Sequence, residues 1–187
     1  SHGDDEIFSR EQFLQWFDLD HLGKSAAQFD EAKLRWVNAQ HLKAMDNAAL
    51  AQAVTPFVQQ LGHQPDERLS ALCALYKDRC DTLVALADWI ARHHTHVAAQ
   101  PADLQQHLTD AVRPAIADLA LALQEVAWEP AAIAAAIKAV LSQPQLKMPQ
   151  LAMPVRVLVM GTPQTPSLDQ VLALQHRSAV LQRLAGA

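Results

Sequence analysis

Apolar residues recur every three or four positions along most of this chain, which is the spacing of an amphipathic helix. The pattern predicts a succession of helices rather than the strict alternation that is typical of half-buried strands. The stripes that define it most clearly are Leu34, Val37 and Leu42, then Leu50, Val54 and Phe57, then Leu83, Leu86 and Ile90.

Residues that favour helix starts stand in front of several of these stripes. Ser9 with Gln12, and Ser167 with Gln170, have the spacing of a capping box, in which each residue satisfies a backbone N–H of the other. Asp30 is a good N-cap before another stripe. These signals predict where three of the helices begin.

Proline and valine make two stretches harder to assign. Residues 103–125 are periodic, but Pro114 must break or kink a helix there. In residues 149–160, alternating valines are consistent with a strand, whereas Pro154 disfavours an interior strand position. We expect a helix, because the segments around it are helical.

Composition supports an all-α fold. Half of the 187 residues are hydrophobic, only 5% are aromatic, and there are 5 glycines. We expect a helical bundle or cage of two to three small helical subdomains, divided softly near residue 60 and again near 126–130. No apolar run approaches the roughly 18 residues that a membrane span needs, and no leader opens the chain, which favours a soluble, cytoplasmic protein without a membrane partner.

The cysteines and histidines argue against a metal centre. Cys73 and Cys80 are expected to be buried thiols in a reducing compartment. His93, His94 and His96 cluster in sequence, but a structural zinc site needs four ligands at recognisable spacing. We therefore predict no metal and expect a polar helix end whose imidazoles meet the negative end of the helix dipole.

Charge is unevenly distributed. The net charge is −5, which is unusual for a nucleic-acid-binding protein. From Pro130 onward, however, five basic residues stand against Asp169 alone. This asymmetry favours a polyanion near the C-terminal part or a solvated basic face, and charge alone does not separate the two.

One basic residue interrupts the apolar run that ends at Gly161. Arg156 stands inside Pro-Val-Arg-Val-Leu-Val-Met-Gly. Because an arginine is costly to bury without a partner, this position predicts an anionic or acceptor-rich partner for the guanidinium.

Three segments together resemble the bacterial glutamyl-tRNA synthetases, which are class I aminoacyl-tRNA synthetases. In chain order they are GDDEIFSREQF, GKSAAQFDEAKLRWVNAQHL and KMPQLAMPVRVLVMGTPQTPSLDQVLAL. The resemblance implies a helical, stem-contact-like linker (1–60) after a catalytic domain, followed by anticodon-binding subdomains at 61–128 and 129–187. It also implies that tRNA(Glu) and the enzyme's own N-terminal catalytic domain are the partners.

The resemblance implies a ligase that uses ATP and Mg²⁺ to attach glutamate to its tRNA. The ATP-binding motifs of that class, of the types H-x-G-H and K-x-S-K, do not occur in this sequence. We therefore expect no catalytic residues and no cofactor here, and we expect this chain to be inactive by itself.

The same resemblance gives Arg79 the role of contacting the third anticodon base. Glutamate anticodons end in cytosine, which offers acceptors to a guanidinium, whereas glutamine anticodons end in guanine, which presents N–H donors. The alternative is an ion pair between Arg79 and Asp78, Asp81 or Asp88.

Six further positions match segments of the family that lie near tRNA. Arg156 is expected to meet anticodon bases or phosphate, with an interhelical salt bridge as the alternative. The turn at Thr165, Pro166 and Leu168 is expected to lie against bases, or to be an ordinary capped turn. Tentative phosphate contacts are Lys138 and Lys147, the latter followed by Met148-Pro149 where the family has glycine.

Two other functions stay open on the sequence. A helical protein-interaction scaffold would use the apolar stripes to hold partner helices, and binding to a protein in preference to tRNA would distinguish it. A metal-dependent hydrolase would use the histidine cluster, and bound metal in a purified sample would distinguish it.

Overall fold

The computed structural model describes residues 6–21, 28–142 and 146–186, and throughout these ranges the regular structure is helical. The prediction of an all-α fold is confirmed. None of the described helices is long and apolar enough to cross a membrane. The eleven α-helices of the described ranges are α1 (Arg10–Trp16), α2 (Glu31–Ala44), α3 (Asn47–Gln60), α4 (Leu69–Tyr76), α5 (Leu83–His94), α6 (Pro101–His107), α7 (Arg113–Glu125), α8 (Pro130–Leu141), α9 (Met148–Met160), α10 (Leu168–Ala173) and α11 (Arg177–Ala185).

Two of the three predicted helix caps are present. Ser9 and Gln12 form the full capping box, with the Gln12 backbone nitrogen 3.1 Å from the Ser9 Oγ. The Asp30 carboxylate accepts from the Lys33 backbone N–H at 3.0 Å. Ser167 does precede α10, but its side chain accepts no hydrogen bond, so the capping box predicted there was wrong.

The two stretches that were hard to assign from sequence, 103–125 and 149–160, are both helical, and their prolines lie where a helix tolerates them or divides. The periodic stretch 103–125 divides into α6 and α7, and Pro114 occupies the first turn of α7, where a missing N–H costs nothing. Residues 148–160 form α9, as expected, with Pro154 inside the helix. The alternating valines are all buried because α9 is apolar around most of its circumference.

The helices share one hydrophobic core, which runs in sequence from Leu42 to Leu184. α3, α4 and α5 pack against one another, while α7 packs against α8 and α11. α9 lies against α6, α7 and α11. The partition at residues 60 and 128 stays a prediction, and α3 packs on α4 and α5 across the first of these positions.

Backbone carbonyls at the ends of α9 and α10 are bound by side chains from the first half of the chain. Arg92 donates to the Met160 carbonyl at 2.9 Å, and Arg68 donates to the Leu174 carbonyl at 2.8 Å. The last carbonyls of a helix have no partner within it. These bonds therefore satisfy orphan acceptors and tie the two halves together.

His93 belongs to the same set of links. It is buried, its Nε2 lies 2.9 Å from the Tyr76 hydroxyl, and its Nδ1 lies 3.4 Å from the Leu174 carbonyl oxygen. A carbonyl only accepts, so Nδ1 carries the proton and Nε2 accepts from Tyr76. Burial lowers the pKa of His93 to about 3. The expected charged, polar helix end was wrong for His93, because the last turn of α5 packs into the core.

The neutral state of His93 makes folding depend on pH. The unfolded chain binds a proton below its ordinary pKa of 6.5, whereas the folded chain does so only near 3. Stability from this group is therefore complete above pH 6.5 and is lost as the pH falls toward 3. We expect its contribution to the unfolding free energy to fall by up to about 1.4 kcal/mol per pH unit in this window.

Urea unfolding of wild type and His93→Gln between pH 7 and pH 4 measures this contribution. The variant should show a flatter dependence of unfolding free energy on pH, and His41→Gln, which alters an exposed histidine, should follow wild type. Parallel curves for wild type and His93→Gln would contradict the assignment.

Candidate nucleic-acid interface

Arg79 lies in the short 3-10 turn Lys77–Arg79 that joins α4 to α5. Tyr76 before the turn and Cys80 after it are buried, which fixes the backbone while Arg79 itself stays exposed. Burial also raises the pKa of the Cys80 thiol to about 11, so this cysteine is an inert packing residue, as expected. The turn thus presents the arginine on a rigid base.

The ion pair weighed as an alternative for Arg79 does not form. Among the described residues, Arg79 makes no ion pair, and Asp81 instead binds Arg35 of α2, with 3.1 Å between Nη1 and Oδ2. Lys77 of the same turn donates to the Met45 carbonyl at 3.0 Å. α2 therefore binds the neighbours of Arg79 and leaves its guanidinium free.

Arg156 is half-buried on α9, between fully buried valines. Its Nη2 donates to the Pro166 carbonyl at 3.3 Å, and its Nε is buried with no hydrogen-bond partner. Among the described residues no carboxylate pairs with it, so the interhelical salt bridge considered from sequence does not form. A buried donor without an acceptor is costly, so the fold does not fully satisfy this guanidinium.

Arg79 and Arg156 lie close enough to repel each other. Burial lowers the pKa of the Arg156 guanidinium, and the positive charge of Arg79 lowers it further. Arg156 keeps its proton at physiological pH, because an arginine pKa starts so high. Two elements that are 77 positions apart in sequence thus bring together two cations without a carboxylate between them.

The turn after α9 holds Arg156 in place. Gly161 ends α9 in the left-handed conformation, with φ at 70°. The Thr165 hydroxyl donates to the Pro166 carbonyl at 3.0 Å, which is the same oxygen that Arg156 binds. Thr165 and Pro166 are buried. These two residues therefore hold the Arg156 guanidinium in position, and their side chains do not present a flat surface to a base.

Leu168 and Arg156 line a cavity of about 270 Å³ between α8, α9 and the start of α10. This volume is near the lower end for ligand pockets, roughly 300 Å³. Its walls are mostly apolar, and Arg156 and Asp169 are the charged residues among them. Sequence reasoning missed most of the remaining lining residues, Ala134, Ile137, Met148, Pro149, Ala152 and Met153, although Met148-Pro149 stood out as a departure from the family pattern.

The two lysines predicted from sequence flank this cavity. Lys138 is exposed and lies one helical turn after Ala134, which lines the cavity. Lys147 is also exposed and directly precedes Met148, another lining residue. Neither forms an ion pair with a described residue. Both are free to meet an anion.

No metal centre accompanies this basic surface. The described ranges contain no group of three or more histidine, cysteine or acidic side chains arranged to hold a metal ion. His63 and His94 stack with their ring centroids 5.3 Å apart, and burial lowers the pKa of His94. Backbone N–H groups aside, the chemistry at the Arg79 and Arg156 surface is therefore that of guanidinium and ammonium donors beside mostly apolar walls, with the Asp169 carboxylate also lining the cavity.

Residues 49–187 match the protein family described as anticodon binding domain. This chain belongs to that family. The glutamate–tRNA ligase of Albidiferax ferrireducens is 62% identical over 184 residues, and that of Polaromonas naphthalenivorans is 63% identical over 186 residues. Both alignments cover 98% of this chain, and the chain spans 40% of the length of each relative. The resemblance to glutamyl-tRNA synthetases is confirmed.

Solved structures agree at the level of the fold. A crystal structure of a glutamate tRNA ligase from Elizabethkingia meningosepticum matches with a TM-score of 0.88 over 97% of this chain and 37% of that chain, at 19% sequence identity. The glutamate-tRNA synthetase of Elizabethkingia anophelis matches with a TM-score of 0.82, also at 19% identity. The helical arrangement of this anticodon-binding domain thus persists in sequences that have diverged widely.

The turn that supports Arg156 should be sensitive to the residue at position 161. A Cβ on Gly161 would lie 2.6 Å from the Val97 carbonyl oxygen, and its φ of +70° is strained for any side chain. We expect Gly161→Ala to lower the unfolding free energy by at least about 1–3 kcal/mol. Chemical denaturation measures this change.

Gly186→Ala is the matched control for that substitution. Its Cβ would meet nothing nearer than the Arg183 carbonyl oxygen at 3.7 Å, so its effect should stay within about 0.5 kcal/mol. Equal stabilities for the two variants would show that the close approach of Gly161 to Val97 is not a constraint.

Proposed function

We propose that this chain is the tRNA anticodon-binding part of a glutamate–tRNA ligase, and that Arg79 and Arg156 contact bases of the anticodon loop of tRNA(Glu). The observation that carries the proposal is that neither Arg79 nor Arg156 forms an ion pair among the described residues, while the charge of Arg79 acts on Arg156. Two such guanidinium groups can both donate to one anionic or acceptor-rich ligand.

The contrast with other arginines of the chain supports this role. Arg68 and Arg92 donate to backbone carbonyls at the ends of helices, where a cation is expected to stabilise the fold. Arg79 donates to no described residue, and Arg156 leaves its Nε unpaired. Structural needs thus account for the first group and leave Arg79 and Arg156 available for a ligand.

Arg79 would supply specificity at the third anticodon base. Cytosine presents acceptors to its donor-only guanidinium, while guanine, which ends the glutamine anticodons, would set N–H donors against it. The cavity beside Arg156 would take the flat apolar face of an unstacked base against Leu168. Thr165 and Pro166 would act indirectly, by holding the carbonyl that positions Arg156.

Lys138 and Lys147 would contact phosphates next to the cavity. Such contacts position a nucleic acid but do not distinguish its sequence. The net charge of −5 means that tRNA is attracted locally, by the basic residues after Pro130, rather than by the chain as a whole.

In the complete enzyme, ATP and glutamate would form glutamyl-adenylate, and the glutamyl group would pass to the tRNA end. That chemistry, with its ATP and Mg²⁺, would belong to a separate N-terminal catalytic domain acting in the cytoplasm. Exposed apolar residues of α1 and α2 offer a surface for that domain; Leu34 and Trp36 of α2, for example, are 53% and 44% exposed. The same surface is the feature that favours the alternative function, a protein-interaction scaffold.

Arg79→Gln in the complete ligase should reduce discrimination between glutamate and glutamine tRNAs. Loss of one base-specific contact is worth about 1–3 kcal/mol, so the ratio of kcat/KM for the two tRNAs should fall by at least about fivefold. Steady-state charging of both tRNAs measures the ratio. Arg113→Gln, which removes an arginine paired with Asp110, should leave it unchanged. An unaltered ratio in Arg79→Gln would remove Arg79 from base recognition.

Replacing both Lys138 and Lys147 by alanine should weaken binding to the two tRNAs equally. Each lost phosphate contact should also flatten the slope of log affinity against log salt by about 0.7–0.9. Filter binding across a salt series measures both effects. Lys33→Ala, whose ammonium already pairs with Glu6 at 2.6 Å, is the control. A change in selectivity without a change in salt slope would contradict the phosphate assignment.

A further inference from the structure

A second cavity, of about 590 Å³, lies between α6, α9 and α11. Its walls are largely apolar or small, which leaves room between the helices. The residues that matter for its chemistry are Leu104, Leu108, Val157, Leu158, Ala179 and Arg183. The volume lies within the range of roughly 300–1,000 Å³ that is typical of small-molecule sites.

This cavity is on the opposite side of α9 from the proposed anticodon site. Successive residues of an α-helix are separated by about 100° around its axis. Leu158 lines this cavity and therefore lies about 200° around the helix from Arg156. A ligand here would not compete directly with a base beside Arg156.

The cavity contains a cation with no acidic partner. Arg183 Nη1 donates to the Val159 carbonyl at 2.8 Å, while its Nε and Nη2 make no hydrogen bond to the described residues. Burial lowers the pKa of this guanidinium. The lining residues include no aspartate or glutamate, and the polar ones besides Arg183 are His96 and Gln182. Its free donors can be satisfied by an acceptor that enters the cavity.

We propose that this cavity binds a small amphiphilic carboxylate, with its hydrocarbon part against Leu104, Leu108 and Leu158 and its carboxylate on Arg183. The planar guanidinium fork matches a carboxylate geometrically, and such charge-assisted bonds are the strong ones. A neutral apolar ligand would leave the donors unsatisfied, and a cationic one would be repelled. A compact inorganic anion would not displace water from the apolar walls of the cavity.

Calorimetric titration of the 187-residue chain with octanoate and with 1-octanol tests this site. Octanoate should bind at one site, at least about tenfold more tightly than octanol, because only the carboxylate forms charge-assisted bonds to Arg183. Affinity should rise roughly fourfold per methylene from butanoate to octanoate, as expected for burial of hydrocarbon.

Variants separate a ligand contact from a structural role. Arg183→Gln should remove the preference for octanoate over octanol, whereas Arg183→Lys, which keeps the charge, should retain most of it. Arg177→Gln alters another arginine of α11, which donates to the Gln124 carbonyl and lies outside the cavity, so its affinity should equal that of wild type. Circular dichroism of each variant verifies that the helices remain folded.

Several results would overturn the proposal. Equal affinity of the wild-type chain for octanoate and octanol would show that no carboxylate contact exists. An equal loss of octanoate affinity in Arg183→Gln and Arg183→Lys would indicate that Arg183 only binds the Val159 carbonyl and does not contact the ligand. Intermolecular NOEs from octanoate only to residues that do not line the cavity would place the ligand elsewhere.

Discussion

The central constraint of this structure is that Arg79 and Arg156 act on each other electrostatically and that neither forms an ion pair among the described residues. Arg156 stands on the largely buried α9, and its guanidinium donates to the Pro166 carbonyl in the turn after that helix. Arg79 does not form an ion pair with the nearby Asp81, because the Asp81 carboxylate is bound to Arg35. The described residues thus supply no ion-pair partner that would offset the repulsion between the Arg79 and Arg156 guanidinium groups.

The rest of the structure explains how a small helical protein supports such a site. Side chains from distant segments satisfy carbonyls at the end of α9 and after α10, with Arg92 on Met160 and the Trp128 indole N–H on Gln175 at 2.8 Å. His93 adds a neutral, buried link to Leu174. These bonds cross between distant segments, and through His93 they also reach Tyr76, the residue before the turn at 77–79. Precise placement of separate cations needs this kind of cross-linking.

Local signals predicted much of the fold, because helix period, caps and prolines act over a few residues. The breaks around Pro114 and the start of α8 at Pro130 follow from proline geometry alone. Long-range features could not be predicted in the same way. The burial of His93 depends on α5 meeting residue 174, and the exposure of Leu34 depends on what covers α2, which its helical spacing does not reveal.

In the candidate site, too, individual residues could be predicted from sequence, whereas their contacts with distant segments could not. The resemblance singled out Arg79 and Arg156, but the sequence did not reveal that Arg35 would bind Asp81 and so leave Arg79 free. Nor did it reveal that Thr165 and Pro166 are buried supports, while Ile137 and Met148 line the cavity.

The most direct test is a binding titration of this chain with tRNA(Glu) and with the same tRNA carrying a glutamine anticodon, at several salt concentrations. The account predicts that binding weakens as salt rises and that the glutamate anticodon is preferred at every salt concentration. Equal affinity for the two tRNAs, or binding that salt does not alter, would contradict the claim that these guanidinium groups meet anticodon bases.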